Sequence, residues 1–319
     1  MARTILLCVL IIFSTASTRM QPSIADQVEQ SRLDQFRNVC RIHEISDMFA
    51  SKLRQLEGYE IFVIMDDSGS MTHPVQNHLL NADPYGKQVT RWDEAKSICR
   101  VIIDIAALMD KSGIDFYLLN KPPVFGVYNH TQLEGVFEIT PNGYTPIVPA
   151  LRTILQLPTN DKKRLIIIIT DGQPTGEDNK PDIDTFRDVL EDERSDDDHV
   201  VIVACTDEKT TMEYLNGWDK ELERLDVADD YLSELAEVQA KLGKKFVFTF
   251  GDYIVKILLG SIDPEMDNLD ELHRRCSDPN YKHKHKHTHT DTLVHTHEPV
   301  QTHNHKHDHD HNKKKCIVM

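Results

Sequence analysis

The sequence lacks the short motifs that identify several enzyme classes. It contains no GxSxG nucleophile elbow, no phosphate-binding loop of the form GxxxxGKS or GxxxxGKT, no HExxH zinc motif and no CxxC pair. It is also short of positive charge, since 36 Lys and Arg face 52 Asp and Glu and leave a net charge of −16. Because so acidic a chain would repel phosphates, we expect no nucleic-acid partner. The missing motifs lead us to expect that the protein is not an enzyme.

Length and hydrophobic content set the number of domains. With 319 residues, of which 39% are hydrophobic, the chain can bury one substantial core. We therefore expect one main domain over residues 58–265. A signal-like apolar segment (1–19) and a helical segment (20–57) precede it, and a linker (266–280) and a His-rich tail (281–319) follow it.

The amino-terminal segment has the pattern of a secretory signal. Arg3 precedes nine apolar residues at 5–13, which are too few to span a bilayer, and the small residues Ser14 and Ala16 have cleavage-site spacing. The glycosylation sequon at Asn129 is compatible with secretion. One expected location is therefore extracellular, as a secreted adhesion protein.

The carboxyl terminus carries the opposite address. Cys316 is followed by two aliphatic residues and Met319, which matches a prenylation box that favours farnesyl and is recognised in the cytosol. The three lysines before it supply the second signal that one lipid chain needs at an anionic membrane: Lys313, Lys314 and Lys315. We prefer the cytoplasmic face of a membrane, and translation from Met20 would reconcile the two addresses.

Apolar runs alternate with segments of helical periodicity along the chain. The strands are predicted at residues 61–65, 114–120 and 165–170 and in the stretches that begin at His199 and Lys244. Helices are predicted at about 27–56, 90–111, 183–193 and 232–242, with a short one from Thr145. This alternation predicts an α/β fold, doubly wound, with a mainly parallel sheet flanked by helices.

Oxygen-bearing side chains follow two of the predicted strands. Asp66, Ser68 and Ser70 come directly after IFVIM, and Asp171 follows LIIIIT. Thr145 lies in a loop between them, next to a proline that can begin a helix. Because ligands bind beyond the carboxyl ends of parallel strands, these oxygens are expected to converge on a hard divalent cation.

The ordered motifs DDSGS, NGYT and TDG resemble those of the von Willebrand factor type A domain, over roughly residues 58–265. The resemblance implies a complete metal-ion-dependent adhesion site that holds Mg²⁺ or Mn²⁺ through Ser68, Ser70 and Thr145, with Asp66 and Asp171 acting partly through water. It also implies a protein partner whose carboxylate fills the remaining position, in an adhesion or scaffold role. Tyr144 departs from the family, because many members have a small residue there, and would narrow access to the ion.

Phosphoryl transfer remains an alternative from a different class. Asp66 and Asp67 would then hold Mg²⁺, and Asp171 could accept a phosphoryl group, as in receiver domains and aspartate-nucleophile phosphatases. A receiver also needs a Lys after a later strand, and a phosphatase needs an Asp where this chain has Ser68. The missing residues make this alternative the weaker one.

The tail contains 11 of the 17 histidines, mostly at every second position. No apolar periodicity accompanies them, so the tail is predicted to be disordered. Residues two apart share a face of an extended chain, which would let neighbouring imidazoles bind Zn²⁺. The candidate ligands are His283, His285, His287, His289, His303, His305, His307, His309 and His311. A spacer without a metal, or a segment that gains charge as pH falls through about 6.5, would have the same composition.

Overall fold

The computed structural model describes residues 23–75, 88–159, 161–206, 208–215 and 217–269. The signal-like segment 1–19 lies outside the described residues. So do the tail, its candidate histidine ligands, Cys316 and the three lysines before it.

The described residues form one six-stranded sheet. Its strands are β1 (Tyr59–Met65), β2 (Ile114–Leu118), β3 (Val124–Val127), β4 (Lys163–Thr170), β5 (Asp198–Ala204) and β6 (Leu225–Ala228). They lie side by side in the order β3-β2-β1-β4-β5-β6, and only β3 runs antiparallel to its neighbour. The predicted α/β fold with a mainly parallel sheet is therefore confirmed.

In the described part of the chain, α-helices precede β1, follow β6 and lie between most successive strands. They are α1 (Ile24–Ile42), α2 (Asp47–Ala50), α3 (Arg91–Ala106), α4 (Glu134–Phe137), α5 (Ile147–Leu155), α6 (Ile183–Asp188), α7 (Lys209–Met212), α8 (Trp218–Glu221), α9 (Tyr231–Leu242) and α10 (Phe250–Leu259). Short 3₁₀ helices lie at Leu53–Gly58, Gly69–Thr72, His130–Leu133 and Glu213–Leu215, and a π-helical turn at Val189–Glu193 continues α6. None of the described helices is long and apolar enough to cross a bilayer.

The central strand β4 is buried on both faces, as its run of isoleucines predicts. Ile167 and Ile169 pack in one apolar layer with residues of α2, α3 and α10. Ile166 and Ile168 pack in a second layer with residues of α5, α6 and α8. Helices thus cover both faces of the sheet, and its carboxyl edge is left for loops.

The prediction of a strand from Lys244 is wrong. Residues 246–249 have no regular secondary structure, Val247 is 73% exposed, and α10 begins immediately after them. Thr249 caps that helix, because its side chain accepts from the amide of Asp252 while the Asp252 carboxylate accepts from the amide of Thr249. The alternating apolar residues before Thr249 therefore precede a capped helix and do not form a strand.

The segment before β1 packs into the same core as the sheet. The helix predicted over 27–56 breaks after Ile42, and the chain then re-forms two short helical turns at α2 and at Leu53–Gly58. Their apolar side chains are fully buried in the layer that contains α10: Phe49, Leu53 and Leu56. The backbones also approach closely, since any side chain at Gly251 would overlap the carbonyl group of His43.

Candidate metal centre

Asp66 and Asp171 leave the sheet at the same edge because β1 and β4 are parallel neighbours. Met65 pairs in register with Ile169, and the amide of Asp66 donates to the Ile169 carbonyl at 2.9 Å. Both aspartates are fully buried. This register agrees with the prediction that both carboxylates lie beyond the carboxyl ends of neighbouring strands.

Hydrogen bonds through Ser68 and Ser70 connect the two carboxylates. The Ser70 hydroxyl donates to Asp171 Oδ1 at 2.8 Å and lies 3.0 Å from the Ser68 hydroxyl. The backbone amide of Ser68 donates to Asp66 Oδ1 at 2.8 Å, and Thr170 Oγ1 donates to Asp66 Oδ2 at 2.7 Å. Four of the five predicted ligands thus form one hydrogen-bonded chain, and Thr170 is an additional member that the sequence prediction did not include.

The loop containing Thr145 is held to the other two loops by its backbone. The Gly69 amide donates to the Gly143 carbonyl at 3.2 Å, and the Thr175 amide donates to the Thr145 carbonyl at 2.9 Å. Gly143 has a φ of +122°, and a side chain there would collide with Asn120. Thr145 is largely buried beside the Asp171 loop, although no hydrogen bond joins its side chain to the other four predicted ligands in the described part of the chain.

Asp67 faces the neighbouring strand end. Its Oδ1 accepts from the backbone amide of Asn120 at 2.8 Å and from the Asn120 side-chain amide at 3.0 Å. The same side chain of Asn120 donates to the carbonyl of Tyr144, a residue that is 55% exposed. Asp67 therefore joins the β1 and β2 ends to the third loop, and its Oδ2 finds no hydrogen-bond partner among the described residues.

Arg91 is the charged neighbour that the sequence did not reveal. Its Nη1 donates to Asp171 Oδ2 at 2.9 Å, and its Nη2 lies 3.0 Å from Glu208 Oε1. Arg91 is 3% exposed, whereas the Glu208 side chain is 58% exposed. Both oxygens of Asp171 are consequently engaged, one by a hydroxyl and one by a guanidinium.

Burial and a neighbouring charge raise the pKa of Asp66. Removal from water, and secondarily the charge of Asp171, raises the pKa of Asp66 to about 7, although hydrogen bonds from Thr170 and Ser68 oppose the shift. A group with this pKa changes charge near neutrality. Asp66 is therefore a buried acid whose negative charge a cation would stabilise.

The donor set is compatible with a small hard cation. It consists of carboxylates and hydroxyls, and neutral hydroxyls allow Mg²⁺ to be bound with few direct carboxylates. Among the residues that the structure describes, no three His, Cys, Asp or Glu side chains are grouped to hold a metal ion. A metal at this edge would therefore depend on the hydroxyls of Ser68, Ser70 and Thr145.

Comparisons with known proteins do not add to this site. No protein-family model and no curated protein matches the sequence.

Proposed function

We propose that the protein is a divalent-cation-dependent protein-binding module, with an adhesion or scaffold role. The observation that supports it best is the hydrogen-bonded link from Ser68 through Ser70 to Asp171, beside the buried Asp66, at the carboxyl ends of adjacent parallel strands. The resemblance of the three loop motifs to the von Willebrand factor type A domain supports the same proposal.

Each residue of the site has a role in this proposal. The hydroxyls of Ser68, Ser70 and Thr145 provide neutral oxygen ligands, while Asp66 and Asp171 provide the charge. Bound Mg²⁺ or Mn²⁺ would supply an electrophilic position for a carboxylate of the partner protein. The backbone hydrogen bonds among the three loops keep the donors together before the ion arrives.

The location of the module is a separate part of the proposal. A farnesyl group on Cys316 and the adjacent lysines would attach the chain to the cytoplasmic face of a membrane. Secretion with a cleaved amino-terminal segment is the alternative. Amino-terminal sequencing and intact mass of the native protein distinguish the two, because the first requires prenylated Cys316 and the second a chain that begins near Ser17.

Mn²⁺ titration calorimetry tests the metal site. Asp171→Ala and Ser68→Ala should each weaken Mn²⁺ binding by roughly tenfold or more, because each removes an oxygen donor. Asp110→Ala is the matched control, since Asp110 is also buried but accepts from the amide of Ile61, in the body of β1. Unchanged Mn²⁺ affinity in both site variants would refute the assignment.

Two further measurements test what the ion is for. A peptide with a single Asp should bind in the presence of Mn²⁺ and lose that binding in EDTA, while the same peptide with Asn should not bind. Incubation with acetyl phosphate and Mg²⁺ tests the other class of protein. Transfer of a phosphoryl group to Asp171 would favour phosphotransfer over protein binding.

A further inference from the structure

Arg91 occupies an unfavourable position for a cation. It is the first residue of α3, where the helix dipole is positive and acidic residues are preferred. It is also buried, and its Nε finds no hydrogen-bond partner among the described residues. A guanidinium in this position needs negative charge nearby, and Asp171 and Glu208 provide it.

A divalent ion and the guanidinium would use the same carboxylate. Asp171 Oδ2 accepts from Arg91 Nη1, and Oδ1 accepts from Ser70. A metal ion bound to the Asp171 carboxylate would therefore lie close to the guanidinium of Arg91, which already contacts that carboxylate. The two cations compete for one buried anion.

We propose that Arg91 is the internal counter-ion of the metal-free site and that it sets the affinity for divalent cations. This inference rests on the proposed function, because it concerns the same site. Arg91 neutralises Asp171 in the absence of metal, and its second contact, with Glu208, retains the guanidinium when the ion takes over Asp171. Glu208 lies in the loop after β5, so occupation of the site is coupled to that loop.

The size of the effect follows from the distance between the two cations. If the ion binds Asp171 Oδ2 directly, at a metal–oxygen distance of about 2.1 Å, the 2.9 Å from Arg91 Nη1 to that oxygen places the two cations at most about 5 Å apart. Even with the screening of bulk water, a unit charge at about 5 Å from a divalent ion changes its Kd by more than about tenfold. Removal of the charge at Arg91 should therefore tighten Mn²⁺ binding by at least that factor.

The test compares Arg91→Gln with Arg164→Gln in the full-length protein. Arg164 is also buried and pairs with a buried aspartate, Asp198, but it lies at the opposite end of β4 from Asp171, about 20 Å away. Both variants should lower the thermal stability measured in EDTA. Only Arg91→Gln should bind Mn²⁺ at least about tenfold more tightly than wild type, and saturating Mn²⁺ should restore its stability selectively.

A second pair of variants keeps the proposal testable if Arg91→Gln does not fold. Glu208→Gln removes the exposed acceptor that retains the guanidinium, so it should weaken Mn²⁺ binding several-fold. Glu213→Gln removes another exposed carboxylate of the same segment and should have a smaller effect. Equal effects of these two variants would contradict the coupling.

The outcomes also separate this inference from the proposed function. If wild type binds Mn²⁺ and Arg91→Gln binds it equally or more weakly, Arg91 is only a structural partner of Asp171 and the inference is overturned while the metal site stands. If neither protein binds Mn²⁺, both proposals are overturned. Binding by Arg91→Gln alone would support the counter-ion role of Arg91 but would overturn the proposed function of the wild-type protein.

Discussion

Competition between a proton and a metal ion at Asp66 gives the sharpest prediction for the proposed metal site. In the metal-free protein the pKa of Asp66 is raised to about 7, first by burial and then by the charge of Asp171. The carboxylate form binds a cation, so a proton on Asp66 opposes Mn²⁺. Lowering the pH from 8 to 6 should therefore weaken binding, and Asp66→Asn should remove that dependence.

The magnitude follows from the single pKa. The apparent Kd is multiplied by 1 + 10^(pKa − pH), which is about 1.1 at pH 8 and about 11 at pH 6 for a pKa of about 7. Mn²⁺ binding should thus weaken about tenfold over this interval. Each ion bound should release about 0.1 proton at pH 8, about 0.5 at pH 7 and about 0.9 at pH 6.

The same pKa predicts the opposite trend for stability without metal. An acid whose pKa is higher in the folded than in the unfolded state binds its proton more tightly when folded. In EDTA, Asp66 therefore contributes an increase in the free energy of unfolding as pH falls from about 8 towards about 4. Saturating Mn²⁺ should diminish this gain, because the ion holds the carboxylate form.

Calorimetry in two buffers with different ionisation enthalpies measures both the affinity and the number of protons released. Asp66→Asn in the full-length chain is the control, because it keeps the histidine-rich tail and so corrects for protons that the tail exchanges. A proton release that does not change between pH 8 and pH 6, or the same pH dependence in both proteins, would refute the argument.

Three other predictions concern packing and the tail. Gly251→Ala should lower the free energy of unfolding in urea by about 2 kcal/mol, because the added methyl group overlaps the His43 carbonyl. Gly135→Ala is the control and should not lower it, because Gly135 has open space around it. Equal effects of the two variants would contradict the packing. A peptide of residues 281–312 should bind Zn²⁺ with proton release near pH 6.5, and equal Zn²⁺ uptake by full-length and tail-deleted protein would exclude this. Attachment of the prenylated protein to anionic vesicles should strengthen from about pH 7.5 to about 5.5 and disappear in Cys316→Ser, so equal sedimentation of the two would exclude the lipid.

The placement of the predicted ligands at one edge of the sheet could be expected from the sequence, because Asp66 and Asp171 each follow a recognisable apolar run. The apolar runs of β1 and β4 end abruptly at acidic residues, and parallel strands bring such ends to one edge. The hydrogen-bonded chain through Ser68 and Ser70 is a local consequence of their spacing after Asp66. Local sequence patterns were therefore sufficient to predict that these residues lie at one edge of the sheet.

Arg91 could not be predicted, because its role depends on contacts that only the fold creates. Asp171 is 80 residues away along the chain, and nothing in the residues around Arg91 indicates that α3 begins beside the β4 loop. The short edge strand β6 was missed for a related reason. Its four residues include an aspartate and gain strand geometry by pairing with β5, which local periodicity does not report.

The packing of the segment before β1 against α10 has a consequence for synthesis. The amide of Ser46 donates to Asp252, which lies 206 residues further along the chain. At a translation rate of about 5–20 residues per second, about 10–40 s separate the emergence of these two residues from the ribosome. During this interval the apolar side chains of Phe49, Leu53 and Leu56 have no α10 to cover them. The part of the domain that leaves the ribosome first is thus among the last to be buried, and chaperones that hold exposed apolar segments would meet it there.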